Sequence, residues 1–173
     1  NMVGTFYQPK LVWIDIDTLK TLTKRELVAG LAEIIKYGVI KDKKLFDFLE
    51  DNMRKISYLD KNALHHIIKC SCEIKAGVVS KDEKESGLRA ILNYGHTIGH
   101  AIETVTEYRK FLHGEGVAIG MHLEAKLAEI MGFLRIHDAL RIKALINFYG
   151  LPAEMPKNLN INSLMSAMQL DKK

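Results

Sequence analysis

Hydrophobic residues recur at helical spacing along most of the chain. Between short polar breaks, leucine, isoleucine, valine and alanine return every three or four residues, the period of one face of an α-helix. Thr23 followed by Glu26 has the capping-box pattern of a helix start, and Gly132 and Gly150 stand where helices end. The pattern predicts helices at 23–40, 45–56, 62–80, 88–103, 112–131, 135–149 and 162–170.

One segment near the N-terminus departs from this period. Behind Pro9, the run Leu11–Ile14 is rich in β-branched and aromatic residues, which favours an extended backbone and one short strand. We therefore predict a mainly α fold in which residues 1–173 form a single helical domain. Residues 1–17, with the strand, are its leading segment.

Composition narrows the class of protein. The 173 residues are 47% hydrophobic and 27% charged, which suits one soluble core. No run of about 18 uncharged apolar residues is present and the first residues lack a signal-peptide layout, so we expect no membrane segment and a cytoplasmic protein. The net charge of +4 comes from lysines scattered among acids. It forms no basic stripe, and we expect no nucleic-acid partner.

Two histidines share the apolar face of one predicted helix. His96 and His100 are four residues apart, so their side chains project side by side. Gly95 and Gly99 precede them and let a backbone or a ligand come close. His113 follows at a loop-to-helix junction that can aim its side chain back. Histidines satisfied within the core are the ordinary alternative, but this grouping favours a metal or catalytic site. The spacing alone leaves open which histidines bind metal.

Isolated charges interrupt the apolar helices. Glu33 and Lys36 are three residues apart, the spacing of an ordinary surface salt bridge. Their helix is apolar nearly all round, however, which favours burial, and a buried glutamate needs a partner charge or a metal. Lys75 is another lone charge in apolar company.

Four blocks of the sequence resemble the 3-dehydroquinate synthase family. They read FYQPKLVWID, GLAEIIKYG, RAILNYGHTIGHAIE and LHGEGVAIGM, follow the family's order and cover nearly the whole chain. The resemblance implies the helical C-terminal domain of the dehydroquinate synthase-like fold. The family's nucleotide-binding α/β domain would precede Asn1 and is absent here.

The resemblance also implies an enzyme, a phosphate-eliminating lyase of the shikimate pathway of aromatic amino acid biosynthesis. It would convert 3-deoxy-arabino-heptulosonate 7-phosphate to 3-dehydroquinate and phosphate, using NAD and a divalent metal, zinc or else cobalt. The complete enzyme would be a cytoplasmic homodimer. This chain alone should bind NAD poorly and be inactive, since most of the family's nucleotide site lies upstream.

Individual residues match the family's metal site. Glu33, His96 and His113 fall on the three metal ligands, and one carboxylate with two imidazoles leaves positions open for substrate, as in catalytic sites. His100 falls on a residue near the substrate phosphate, where an imidazole can move protons.

Other residues match substrate and nucleotide contacts. The substrate carboxylate would be held by Lys75 and Arg89, and further substrate contacts by Lys36 and Asn93. The remaining matches are Asn1 and either Lys172 or Lys173 for the phosphate, and Thr18, Leu19, Lys20 and Thr21 for NAD.

Three alternatives stay open. Another sugar-phosphate cyclase, making an inosose or valiolone ring, would share the metal ligands but need no carboxylate clamp. In a metal-dependent polyol dehydrogenase, Lys75 and Arg89 would have no substrate carboxylate to bind. A non-catalytic helical module would keep the metal for stability and would not need Lys36, Lys75, Arg89 and Asn93 to converge.

Overall fold

The computed structural model describes residues 9–83 and 87–170, and this part of the chain is helical with connecting loops. Two 3-10 helices span Ile16–Thr21 and Leu88–Asn93. The α-helices of the described residues are α1 (Lys24–Ile40), α2 (Lys43–Asp51), α3 (Met53–Ser57), α4 (Lys61–Val79), α5 (His96–Val105), α6 (His113–Ile130), α7 (Ile136–Phe148) and α8 (Ile161–Leu170). The prediction of a mainly α fold is confirmed.

The short strand predicted at Leu11–Ile14 is not seen. The segment has no regular secondary structure, and its apolar side chains face solvent, with Trp13 86% exposed. A strand needs a neighbour to pair its backbone N–H and C=O groups. No other strand occurs within 9–83 or 87–170, so this β-prone run has nothing to pair with there.

Two predicted helices are each divided in the structure. The predicted helix 88–103 is a 3-10 helix, then a break at Gly95, then α5, because Gly95 adopts a left-handed backbone with φ of +79°. The predicted helix 45–56 is interrupted at Asn52, whose side-chain amide donates to the carbonyl of Phe48. Arg89 and Asn93 consequently lie on a different helix from His96.

The predicted helix ends are confirmed where capping residues specify them. The backbone N–H of Thr23 donates to the Glu26 carboxylate at 2.8 Å, and Glu26 N–H donates to the Thr23 hydroxyl, which completes the capping box. Gly132 and Gly150 have φ of +78° and +79°, the left-handed conformation expected just beyond a helix.

Helix α6 runs through the centre of the fold and packs against α1, α5 and α7. The larger apolar core includes Ile35 of α1 and Val117 of α6, both fully buried. A smaller core joins α5, α6 and α8 through Ile102, Ile119 and Leu164. The N-terminal half of α6 is thereby held between α1 and α5. None of the described helices is both long and apolar enough to span a bilayer.

Candidate functional site

Three helices bring together three residues that are far apart in the sequence. Glu33 lies in the middle of α1, His96 is the first residue of α5 and His113 the first of α6. The Oε1 atom of Glu33 is 3.3 Å from Nε2 of His96 and 3.9 Å from Nε2 of His113. The predicted meeting of these side chains at one point is therefore observed.

Glycines allow these helices to approach closely enough for that meeting. A Cβ atom at Gly114 would lie 1.9 Å from the carbonyl oxygen of Ala29, which is one turn before Glu33 on α1. On the other side of α6, Gly99 of α5 packs against the backbone of Gly116. The prediction that Gly99 permits close backbone approach is confirmed, and these contacts set the spacing of α1, α5 and α6.

Both histidines are oriented from behind by oxygen acceptors. Nδ1 of His96 lies 3.1 Å from the carbonyl oxygen of Tyr94, and Nδ1 of His113 lies 3.3 Å from Oε2 of Glu103. Because a carbonyl and an ionised carboxylate only accept hydrogen bonds, we assign the ring proton to Nδ1 in both neutral rings. Each Nε2 then presents a lone pair to Glu33.

The two carboxylate oxygens of Glu33 have different surroundings. Oε2 accepts a 2.6 Å hydrogen bond from the ammonium of Lys36, a residue only 3% exposed. Oε1 is buried and accepts no hydrogen bond from the described residues. Burial by itself raises the pKa of Glu33, but His96, when its ring carries a proton on both nitrogens, and the charge of Lys36 outweigh burial and lower that pKa to about 2. An ionised oxygen facing two imidazole lone pairs suits a divalent cation.

A third imidazole stands beside this cluster. The ring of His100 is 5.4 Å from that of His96 and 5.6 Å from that of His113, centroid to centroid. One nitrogen from each of these three rings lies within 4.8 Å of the others, so the geometry also allows a three-histidine ligand set. His100 and His113 line an open cleft of about 480 Å³ with Glu103, Thr104, Tyr108, Ala167 and Leu170.

The predicted carboxylate-binding residues lie around the 3-10 helix that precedes α5. Arg89 donates from Nη1 to the carbonyl oxygen of Glu83 at 2.9 Å. Asn93 lines a groove with Tyr94, Thr97 and other residues. Lys75 is exposed on α4, which packs against this 3-10 helix, and has no hydrogen-bond or ion-pair partner among the described residues.

The predicted nucleotide segment Thr18–Thr21 belongs to the first 3-10 helix, where Thr18, Lys20 and Thr21 are exposed and Leu19 is partly buried against the larger core. The Thr18 hydroxyl donates to the Asp15 carbonyl, and the Thr21 hydroxyl to the Thr18 carbonyl. Lys20 pairs with Asp17 at 2.8 Å. All of these bonds are local, and the contact of this segment with NAD stays a prediction. The predicted phosphate contacts Asn1, Lys172 and Lys173 lie outside the described residues.

The sequence analysis missed two acids that support the site. Glu103 holds His113, as described above, and Glu115 anchors the start of α6. The Glu115 carboxylate accepts hydrogen bonds from Arg25 of α1 at 2.7 and 2.6 Å and from the backbone N–H of Leu112. An acid inside an apolar helical run was the signal that singled out Glu33, and the same signal is present at Glu103.

The sequence is similar to those of known proteins along its whole length. A family profile described as 3-dehydroquinate synthase C-terminal matches residues 30–173, and one described as 3-dehydroquinate synthase N-terminal matches residues 1–29. A 3-dehydroquinate synthase of Thermodesulfovibrio yellowstonii is 58% identical over 100% of this chain and 48% of its own length. That of Desulforamulus reducens is 53% identical over 100% of this chain and 48% of its own length. The chain thus spans about half the length of these relatives.

Two solved structures have the same fold over nearly the whole of this chain. The 2-epi-5-epi-valiolone synthase of Streptomyces hygroscopicus, solved with NAD⁺ and Zn²⁺, superposes with a TM-score of 0.87 at 27% identity, over 98% of this chain and 47% of that one. A 2-deoxy-scyllo-inosose synthase complexed with carbaglucose-6-phosphate, NAD⁺ and Co²⁺ gives 0.82 at 32% identity, over 98% and 46% of the two chains. With the profile covering most of its residues, this chain belongs to the 3-dehydroquinate synthase family.

Proposed function

We propose that this chain is the metal- and substrate-binding part of a 3-dehydroquinate synthase. The reaction converts 3-deoxy-arabino-heptulosonate 7-phosphate to 3-dehydroquinate and phosphate. The observation that carries the proposal is the position of Glu33 Oε1, a buried oxygen without a hydrogen-bond donor among the described residues, facing Nε2 of His96 and of His113. Identities of 50 to 58% to relatives named for this activity support the choice of reaction.

Glu33, His96 and His113 would hold the divalent ion, zinc or cobalt. The solved cyclases with Zn²⁺ or Co²⁺ support this choice. When bound, such an ion polarises hydroxyl and carbonyl oxygens of the substrate. Lys36 offsets the charge of Glu33 through Oε2, which keeps the carboxylate ionised at neutral pH and leaves Oε1 directed at the histidines. The chain thus supplies a charged oxygen and two imidazoles whose Nδ1 atoms face oxygen acceptors.

The remaining residues would bind the substrate around this centre. Arg89 and Lys75 would hold its carboxylate, for which a guanidinium fork and an ammonium are well matched. Asn93 would add a polar contact. His100, beside the cluster and on the open cleft, would move a proton near the departing phosphate. NAD would bind mostly to the N-terminal half, with Thr18–Thr21 completing its site.

Cellular context follows from the same proposal. We infer a small sugar-phosphate substrate and a cytoplasmic enzyme whose complete form is a homodimer. The mild net charge of +4, with lysines and acids interspersed, gives no support to a nucleic-acid partner.

A second candidate, a cyclase acting on a sugar phosphate without a carboxylate, is favoured by the nature of the solved neighbours. The overall fold does not separate the two reactions, because both would use one metal site. Sequence identity favours the 3-dehydroquinate synthase reaction, because this chain is 58% identical to a 3-dehydroquinate synthase and 27% and 32% identical to the two cyclases.

Phosphate release from the heptulosonate phosphate is the test. The chain should be mixed with Zn²⁺ and NAD, with and without the N-terminal half of the Thermodesulfovibrio yellowstonii relative. We expect no turnover by the chain alone, since the hydride acceptor would lack its site, and turnover once both halves are present. Turnover of glucose 6-phosphate in place of the heptulosonate would favour the second candidate. No turnover of either substrate by the combined halves would contradict the proposal.

A further inference from the structure

Glu103 is a buried carboxylate that faces the back of the metal site. The residue is only 7% exposed and lies near the end of α5, next to the fully buried Ile102. Its Oε2 atom is 3.3 Å from Nδ1 of His113. An apolar residue would suit this position better if packing alone mattered, because burying a carboxylate is costly unless it is paired. The acid therefore calls for an explanation beyond the stability of α5.

The two histidines facing Glu33 differ in what lies behind them. His96 is backed by a neutral acceptor, the carbonyl oxygen of Tyr94, and His113 by the carboxylate of Glu103. Either acceptor fixes the ring so that Nε2 points at Glu33. Only the carboxylate adds negative charge, which makes the imidazole a stronger electron donor to a metal.

His113 also has the greater freedom to turn. Its side chain is 48% exposed, against 13% for His96, and it stands at the first position of α6 beside an open cleft. Packing restrains its ring less than that of His96, so a hydrogen bond from Nδ1 has more to contribute to its orientation. Glu103 reaches His113 from α5, and its own side chain is restrained because it is buried.

We propose that Glu103 is a positioning residue that fixes the tautomer and ring orientation of His113 and strengthens it as a metal ligand. The proposal rests on the metal site of the proposed function. Replacing Glu103 by glutamine keeps the size and one hydrogen-bond acceptor but removes the charge. Replacing it by aspartate keeps the charge but withdraws the carboxylate by one methylene.

The test is a titration of the metal-free chain with Co²⁺, followed by its visible absorption and by competition with a chelator. Glu103→Gln and Glu103→Asp should each weaken Co²⁺ binding by roughly ten- to a hundredfold and shift the absorption bands. Glu107→Gln is the matched control. It removes an exposed carboxylate, paired with Arg109 at 3.7 Å, from the same region, and should bind Co²⁺ as the unmodified chain does.

The outcomes separate this inference from the proposed function. Unchanged Co²⁺ affinity and absorption in either folded Glu103 variant, with binding intact in the unmodified chain, would overturn the positioning role alone. No Co²⁺ binding by the folded, unmodified chain would overturn both the positioning role and the metal site. Circular dichroism of each metal-free variant establishes that it is folded, and the aspartate variant provides the test if the glutamine variant does not fold.

Discussion

Gly114 packs against Ala29 so closely that a Cβ atom at Gly114 would stand 1.9 Å from the Ala29 carbonyl oxygen. Gly114 directly follows His113 on α6, and Ala29 precedes Glu33 by one turn of α1. This backbone contact therefore sets the distance between two of the proposed metal ligands. The site depends on a residue that has no side chain.

Replacing Gly114 by alanine should separate α1 from α6. Because the nearest atoms belong to backbone and cannot rotate away, we expect a loss of about 3 kcal/mol or more in the free energy of unfolding. Zinc affinity should fall as well, since Glu33 would move from His113. Chemical denaturation and a zinc titration measure the two effects.

The control for this variant is Gly30→Ala. Gly30 also lies on α1, but a Cβ there meets no atom within 4 Å. Alanine at that position should be neutral or stabilise by up to about 1 kcal/mol, because it favours a helix over glycine. Equal stability of the Gly114 and Gly30 variants would show that the close contact with Ala29 does not constrain the fold.

The ion pair between α2 and α7 is expected to make the stability of the fold depend on pH. Arg141 donates to Asp47 at 2.8 Å. Hydrogen bonds from Lys43 and then Arg141 hold the pKa of Asp47 below its usual 3.8. A carboxyl group whose pKa is lower in the folded state than in the unfolded state stabilises the fold at pH values above its unfolded-state pKa. This stabilisation is lost as the pH falls through the folded-state pKa.

Replacing Arg141 by methionine should consequently lower Tm at neutral pH, and the difference should shrink below about pH 4. Thermal unfolding followed across this range gives the measurement. Lys44→Met is the control, because it removes a cation from α2 that has no ion-pair partner among the described residues. A Tm difference for Arg141→Met that is the same at every pH would contradict the assignment to the ion pair.

The carboxylate assignment predicts the kinetics of Arg89→Lys when both halves of the enzyme are present. Lysine keeps the charge but cannot make a two-point contact with a carboxylate. Loss of one charge-assisted hydrogen bond, worth roughly 1.5 kcal/mol, should raise KM about tenfold. Arg135→Lys, at the exposed residue that precedes α7, should leave KM unchanged. Wild-type kinetics for Arg89→Lys would favour a substrate without the carboxylate.

Much of the fold could be predicted from local sequence. The helices follow from apolar spacing, and the capping box at Thr23 and the left-handed Gly132 and Gly150 fix several of their ends. The break at Gly95 was missed because a glycine within an apolar pattern is compatible with a continuous helix. The strand at Leu11–Ile14 was wrongly predicted because its β-propensity says nothing about whether a pairing partner is present.

The site was only partly predictable by direct reasoning. Two histidines four residues apart and a glutamate in an apolar run indicated a metal or catalytic site. Which of these residues meet depends on how α1, α5 and α6 pack. The resemblance to the family supplied the link between Glu33, His96 and His113. Glu103 was missed because its role depends on His113, ten residues away in the next helix.

Zinc stoichiometry most directly tests the central claim, that Glu33, His96 and His113 form the metal site and His100 serves the substrate. The unmodified chain should bind one equivalent of Zn²⁺ per chain. Glu33→Gln should lose tight binding, because glutamine cannot supply the charged oxygen, whereas His100→Ala should keep it. Tight zinc binding by Glu33→Gln together with its loss in His100→Ala would contradict the account and identify the three histidines as the ligands instead.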